Sequence, residues 1–99
     1  MKQICIIVPV YNEELSIDTF FNTFLKFNEA LVDKGYSASV LFVDDGSKDK
    51  TPTILNHLIT EHTNCKALIF SRNFGKEAAL FAGLEHAEAD LMIPMDVDL

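Results

Sequence analysis

The sequence predicts an α/β fold, a parallel and doubly wound sheet with helices on both faces. Four short apolar runs, at positions 4–8, 39–43, 67–70 and 91–93, are typical of strands buried on both faces. The three segments between them carry apolar residues at the three- and four-residue spacing of a helix. Strands that alternate with helices along one chain favour parallel pairing through right-handed crossovers.

The predicted helices cover residues 14–34, 50–61 and 76–86. Gly35 is expected to end the first helix, since glycine is the usual residue just past a helix C-terminus. Pro9 is expected to end the first strand, because its nitrogen has no hydrogen to donate to a neighbouring strand. The first helix presents an apolar stripe that we predict to be core, made of Ile17, Phe20, Phe24, Phe27 and Leu31.

Composition argues against several classes of protein. The chain has 15 acidic and 8 basic residues, a formal net charge of −7, which disfavours binding to nucleic acid through its phosphates. Cys5 and Cys65 lie in apolar runs without a CxxC spacing, so reduced thiols in the cytoplasm are expected. The N-terminus does not have the pattern of a signal peptide, and no stretch has the ~18 apolar residues of a membrane span.

Residues 1–99 are expected to form one truncated domain. The sequence stops one residue after a group of acids at the predicted end of a strand, where a natural domain rarely ends. We therefore expect one edge of the sheet to be bare, which favours self-association by strand pairing.

Polar residues follow every predicted strand. They occupy positions 9–13, 44–47, 71–76 and 96–98. Ligands of open α/β sheets bind beyond the carboxyl ends of the strands, and all four groups are expected to meet there. The presence of such residues after all four predicted strands is the strongest functional signal in the sequence.

Asp96 and Asp98 are predicted to hold a divalent cation. In an extended segment alternate side chains face the same way, so the two carboxylates are expected to share one side. Hard carboxylate oxygens suit Mg²⁺ or Mn²⁺. An ion here would also reverse the repulsion between an acidic rim and a diphosphate.

For the other charged residues of the rim, the sequence allows both a structural role and a ligand-binding role. One of Asp44 and Asp45 is expected to be structural, through the turn and the cap of the second helix, and the other to accept hydrogen bonds from a base or ribose. Arg72 and Lys76 flank the start of the third helix. They either bind phosphate there or pair with nearby acids.

Four motifs resemble those of the family 2 inverting glycosyltransferases. They are PVYNEE at 9–14, VDDGSKDKT at 43–51, SRNFGKEAAL at 71–80 and MDVD at 95–98. The third motif resembles the corresponding segment in one branch of the family. That branch contains the dolichol-phosphate mannose synthases and the bacterial undecaprenyl-phosphate sugar transferases. The resemblance covers the whole chain, and the motifs follow the order of the family.

The resemblance implies a GT-A fold, of which this chain would be the Rossmann-like, nucleotide-binding half, with the acceptor half absent. It implies a UDP- or GDP-linked sugar donor, a Mg²⁺ or Mn²⁺ ion and a polyprenyl phosphate acceptor at the cytoplasmic face of the membrane. A catalytic residue is not identified, and the chain alone is expected to be inactive. The implied roles are base and ribose binding by Pro9, Tyr11 and Glu13, base binding by Asp45, ribose and metal binding by Asp96, metal binding by Asp98, and phosphate binding by Arg72 and Lys76.

Two other classes of protein remain as alternatives. An NAD-dependent Rossmann enzyme needs a glycine-rich turn after the first strand, and the residues here are PVYNEE. A flavodoxin-like phospho-acceptor module also gathers acids and Mg²⁺ at strand ends, but it would require a lysine after a late strand. A fragment that only binds nucleotide is a third interpretation.

Overall fold

The computed structural model describes residues 1–98, so residue 99, the last of the predicted domain, lies outside the described range. The elements follow the predicted βαβαβαβ order. They are β1 (Lys2–Val10), α1 (Ile17–Val32), β2 (Tyr36–Asp44), α2 (Thr51–Glu61), β3 (Cys65–Ile69), α3 (Lys76–His86) and β4 (Leu91–Pro94).

The strands form one parallel sheet in the order β3-β2-β1-β4. The crossovers through α1 and α2 step the chain in one direction across the sheet, whereas α3 returns it past β1 to the other side. Because such crossovers are right-handed, opposite directions put the helices on opposite faces. The predicted α/β sheet with helices on both faces is therefore confirmed.

Two apolar layers hold the sheet between the helices. Alternate residues of β1 and β2 face α1 and α2, where Phe21 and Phe42 are almost fully buried. The intervening residues, such as Ile7 and Val43, face Ala79 and Gly83 of α3. Burial of both faces explains why the strands are continuous apolar runs.

Pro9 does not end β1, contrary to the sequence-based expectation, because it lies inside the strand opposite Val43 of β2. The Val10 carbonyl accepts the Asp45 N–H at 2.9 Å on the β2 side, and the Ile7 carbonyl accepts the Met95 N–H at 2.9 Å on the β4 side. Backbone groups alternate along a strand, so the Pro9 nitrogen faces the β4 side. Proline therefore prevents backbone pairing only on the β4 side. The last paired residue of β4, Pro94, lies opposite Ile7, two residues before Pro9.

Helix α1 begins at Ile17, three residues later than predicted, and ends at Val32 before Gly35, which has a φ of 87°. The prediction that its whole apolar stripe is core was wrong at Phe27, which is 46% exposed. Phe27 instead borders an apolar groove of about 400 Å³ between α1 and the β4 side of the sheet. We call this the α1 groove, and its apolar lining is Ile6, Leu15, Phe20, Phe24, Phe27, Met95 and Val97.

Cys5 and Cys65 are both buried and free, as expected. Burial raises the pKa of the Cys65 thiol to about 12. In residues 1–98, no helix is long and apolar enough to cross a membrane. Within this described part β4 pairs only with β1, and self-association through its outer edge stays a prediction.

Candidate functional site

The predicted site residues meet at the carboxyl ends of β1 and β4. The chain leaves β1 towards β2 on one side and comes back to β4 on the other, so the strand order reverses at this point. Such a switch point opens a crevice beyond the strand ends, because the adjoining loops diverge to opposite faces. The crevice here is a pocket of about 250 Å³.

The pocket is lined by every predicted nucleotide-binding and metal-binding residue. Its walls come from the end of β1, the turn after β2, the first residue of α3 and the segment after β4. The lining residues are Pro9, Val10, Tyr11, Glu13, Asp45, Lys76, Asp96, Val97 and Asp98. Val10 and Val97 were not singled out from the sequence, because an apolar residue in a strand-end motif looks the same whether it lines a pocket or the core.

Asp96 and Asp98 face the pocket because Val97 between them faces inward. Val97 is 7% exposed and packs in the core with α1 and α2, whereas both aspartates are exposed. Residues 1–98 contain no group of three or more His, Cys, Asp or Glu side chains able to hold a metal ion. Two carboxylates fit Mg²⁺ or Mn²⁺ when phosphate oxygens and water complete the coordination, as is usual for Mg²⁺.

Lys76 reaches into the pocket from the start of α3. Its Nζ lies 2.7 Å from Oδ1 of Asp96, and both side chains are largely exposed. The hydrogen bond and the charge of Asp96 raise the pKa of Lys76, with a further contribution from Asp98. The ammonium group is therefore firmly charged at neutral pH.

Asp45 ties the turn after β2 to the start of α3. Its side chain is 3% exposed, and Oδ1 accepts the Phe74 N–H at 2.8 Å. The Gly75 N–H lies 3.1 Å from Oδ2 and 3.3 Å from Oδ1. Asp45 thus has a structural function as well as a place in the pocket, and its contact with a base stays a prediction.

Asp44 is fully buried and does not line the pocket. Its Oδ1 accepts the Ser47 N–H at 3.0 Å and the Ser47 hydroxyl at 2.6 Å, which closes the turn. Its Oδ2 has no hydrogen-bond partner within the described residues. Of the two adjacent aspartates, Asp44 is the one whose side-chain hydrogen bonds are confined to the turn.

The loop between β1 and α1 is fastened to the loop between β2 and α2. The N–H groups of Asn12, Glu13 and Glu14 donate to Ser47 Oγ (2.7 Å), Thr51 Oγ1 (3.0 Å) and Asp49 Oδ2 (3.2 Å). In return, Asn12 Oδ1 accepts the Lys48 N–H at 2.8 Å. These bonds place Glu13 at the pocket, and we call the segment 11–16 the β1 loop.

Asn12 and Asp49 support the β1 loop without lining the pocket. Asn12 has a φ of 52°, a left-handed conformation that asparagine tolerates better than most residues. Asp49 also accepts the Thr51 N–H at 2.8 Å. Desolvation pushes the pKa of Asp49 upward, but the hydrogen bonds from Thr51 and Glu14 outweigh it and leave the pKa below its usual value.

Gly46 lets two strand-end turns touch. Its φ is 77°, and a Cβ at this position would overlap the backbone of Arg72 and Asn73. Arg72 does not line the pocket. Its guanidinium carbon lies 4.8 Å from the centre of the exposed Phe74 ring, a cation–π contact. Phosphate binding by Arg72 stays a prediction.

The sheet order, the helices on both faces and the switch-point crevice are those of the Rossmann-like first part of a GT-A fold. Solved glycosyltransferases share it. The mannosyltransferase PcManGT from Pyrobaculum calidifontis, solved with GDP-Man and Mn²⁺, superposes with a TM-score of 0.82 at 26% identity, over 98% of this chain and 28% of that one. S. aureus TarS in complex with UDP gives a TM-score of 0.77 at 27% identity, over 99% and 28% of the two chains.

The chain belongs to glycosyl transferase family 2, whose model matches residues 5–99. A prophage bactoprenol glucosyl transferase homolog from Escherichia coli is 48% identical over 97 residues, which are 98% of this chain and 31% of the relative. The chain spans about 30% of the length of the curated relatives it matches.

Neither alternative class of protein fits these findings. The turn after β1 lacks the glycines of a dinucleotide-binding fold. A phospho-acceptor module would require a lysine after a late strand, and no lysine follows β4 in residues 95–98. The family match agrees with the site, so the resemblance to family 2 glycosyltransferases is confirmed.

Proposed function

We propose that this chain binds the nucleotide of a UDP- or GDP-linked sugar and belongs to an inverting enzyme that transfers the sugar to a polyprenyl phosphate. One observation carries the proposal. The β1 loop and the Asp96–Asp98 pair line a single pocket at the switch point of a family 2 chain. This is where an open α/β sheet binds its ligand.

The base and ribose would lie against Pro9, Tyr11 and Glu13. Tyr11 is 42% exposed and offers an aromatic face, while Glu13 is held by the bond from its own N–H to Thr51. Carboxylate oxygens of Asp45 and Asp96 accept N–H or hydroxyl hydrogens, as a base and a ribose require. We favour uracil, whose ring N–H is a good donor to a carboxylate.

Asp98 and Asp96 would hold Mg²⁺ or Mn²⁺ against the donor diphosphate. When bound, the ion supplies Lewis-acid stabilisation of the departing nucleoside diphosphate. PcManGT was solved with Mn²⁺, which supports the assignment. Lys76, at the positive end of α3, adds a cation that can contact the same phosphates.

The acceptor would be a polyprenyl phosphate whose own oxygen attacks the sugar, so a strong protein base is not required. The named activity of the bactoprenol glucosyl transferase homolog supports this class of acceptor. The whole protein would then act at the cytoplasmic face of a membrane. We propose that residues 1–99 alone bind the donor without transferring its sugar.

Calorimetric titration of the chain with UDP, GDP and NAD, with and without Mn²⁺, tests the donor site. We expect Mn²⁺-dependent binding of UDP or GDP and none of NAD. Asp98→Ala should weaken that binding at least tenfold, since it removes a metal ligand, whereas Asp90→Ala at the opposite end of the sheet should leave it unchanged. Equal affinity of wild type and Asp98→Ala would contradict the metal assignment.

Transfer itself is tested with the full-length parent protein in membranes. Labelled sugar from UDP-glucose should enter the solvent-extractable lipid, and the Asp98→Ala variant should transfer at a rate near background. The label should appear with the membrane fraction rather than with the soluble fraction. Absence of labelled lipid with every UDP- and GDP-sugar supplied would rule out the polyprenyl phosphate acceptor.

A further inference from the structure

The Lys76 ammonium group touches an oxygen that a metal ion would use. Its Nζ is 2.7 Å from Oδ1 of Asp96, and both residues line the pocket with Asp98. Within the described lining of this pocket, Lys76 carries the positive charge. The negative charges are those of Glu13, Asp45, Asp96 and Asp98. It therefore supplies the local counter-charge for the two metal-binding aspartates.

A divalent ion on this oxygen would lie close to the Lys76 ammonium group. Mg²⁺ binds carboxylate oxygens at about 2.0–2.1 Å, and the Lys76 ammonium is 2.7 Å from the same oxygen of Asp96, so the two cations would be at most about 5 Å apart. Two cations this close repel each other, and Asp98 lines the same pocket as Lys76 and Asp96.

We propose that Lys76 competes with the divalent cation for Asp96, and that it moves to the donor diphosphate when the cation binds. The inference rests on the donor site proposed above. Lys76 is then a positioning residue with two partners. Without nucleotide it neutralises Asp96 and weakens metal binding, and with nucleotide it neutralises phosphate and strengthens donor binding.

The exchange of partners is physically easy. The two side chains are 69% and 61% exposed, and an exposed ion pair of this kind contributes little to stability. Lys76 is also the first residue of α3, where the helix dipole favours an anion such as phosphate. The metal and the diphosphate are therefore expected to bind cooperatively. The metal releases Lys76 from Asp96 to pair with the diphosphate, and the diphosphate draws Lys76 away from the carboxylate that the metal uses.

Manganese binding in the absence of nucleotide separates this function from a purely structural one. The free Mn²⁺ signal is followed by electron paramagnetic resonance during titration of wild type, Lys76→Met, Lys76→Arg and the control Lys34→Met, at one ionic strength. Lys34 precedes the start of β2, at the opposite end of the sheet, and the control changes the net charge equally.

We expect Lys76→Met to bind Mn²⁺ alone about two- to fivefold more tightly than wild type, the range set by the strength of exposed ion pairs. The same variant should bind UDP or GDP with Mn²⁺ more weakly. Lys76→Arg should resemble wild type in both titrations, and Lys34→Met should change neither. Matching thermal unfolding curves will show that the exposed substitution leaves the fold intact.

Unchanged or weaker Mn²⁺ binding by Lys76→Met would overturn the competition. So would a lack of Mn²⁺ binding by both proteins at millimolar concentration, because Asp96 would then hold no ion to compete for. Tighter Mn²⁺ binding by Lys76→Met without any nucleotide binding would uphold the competition and reject the donor site instead.

Discussion

Gly46→Ala is expected to lower the free energy of unfolding by about 2–4 kcal/mol. The new methyl group must displace neighbouring backbone, and the alanine itself must adopt a left-handed backbone conformation. The Cβ would overlap the backbone of Arg72 and Asn73, which cannot rotate away as a flexible side chain can. Urea unfolding measures the loss. The turn before α3 should also shift, so nucleotide affinity should fall with stability.

Gly35→Ala is the matched control. Gly35 has a similar φ of 87°, but a Cβ there would meet nothing within 4 Å. Only the conformational cost remains, about 1–2 kcal/mol, and nucleotide binding should be unaffected because Gly35 lies at the far end of the sheet. Equal losses in the two variants would show that the close approach at Gly46 has no energetic weight.

Asp45→Ala is expected to lower the free energy of unfolding by about 3 kcal/mol, since it leaves the partly buried N–H groups of Phe74 and Gly75 without their charged acceptor. It should also free the turn that carries Lys76 into the pocket. Donor affinity should therefore fall by more than the loss of one base contact would explain. Urea unfolding and nucleotide titration of the same protein samples measure the two effects.

Two variants bracket this result. Asp45→Asn keeps one carbonyl oxygen as an acceptor and should lose less stability than Asp45→Ala. Asp90→Ala removes an exposed carboxylate that accepts the Gln3 N–H at 2.8 Å, a bond of the same kind that remains in water. If Asp45→Ala lowered the free energy of unfolding no more than Asp90→Ala does, the hydrogen bonds that Asp45 accepts at the start of α3 would contribute little to stability.

The fold was predictable because burial of both sheet faces leaves a strong mark on the sequence. Continuous apolar strands and helical periodicity were sufficient to predict the element order and the two-faced sheet. The errors came from tertiary context. Pro9 stays in β1 because its nitrogen faces a side where β4 has already ended, and Phe27 is exposed because the groove beside it is open.

The site was predictable to the extent that it depends on topology. Strand ends meet at one rim in any parallel sheet, so Asp96, Asp98 and Glu13 could be brought together from their positions alone. The partners inside the rim could not. Pairing of Lys76 with a nearby acid was one of two predicted alternatives, but the choice of Asp96, like the hydrogen bonds that Asp45 accepts, depends on how α3 approaches the strand ends, which no local pattern encodes.

The fastening of the β1 loop has a consequence for the kinetics of ligand binding. Three of its N–H groups are held by Ser47, Thr51 and Asp49, so the loop loses conformational entropy when the chain folds and not when a ligand arrives. Donor association then needs no slow ordering step on this side of the pocket. The on-rate is governed by diffusion and by the rim's negative charge, and it should rise as salt or divalent ions screen that charge.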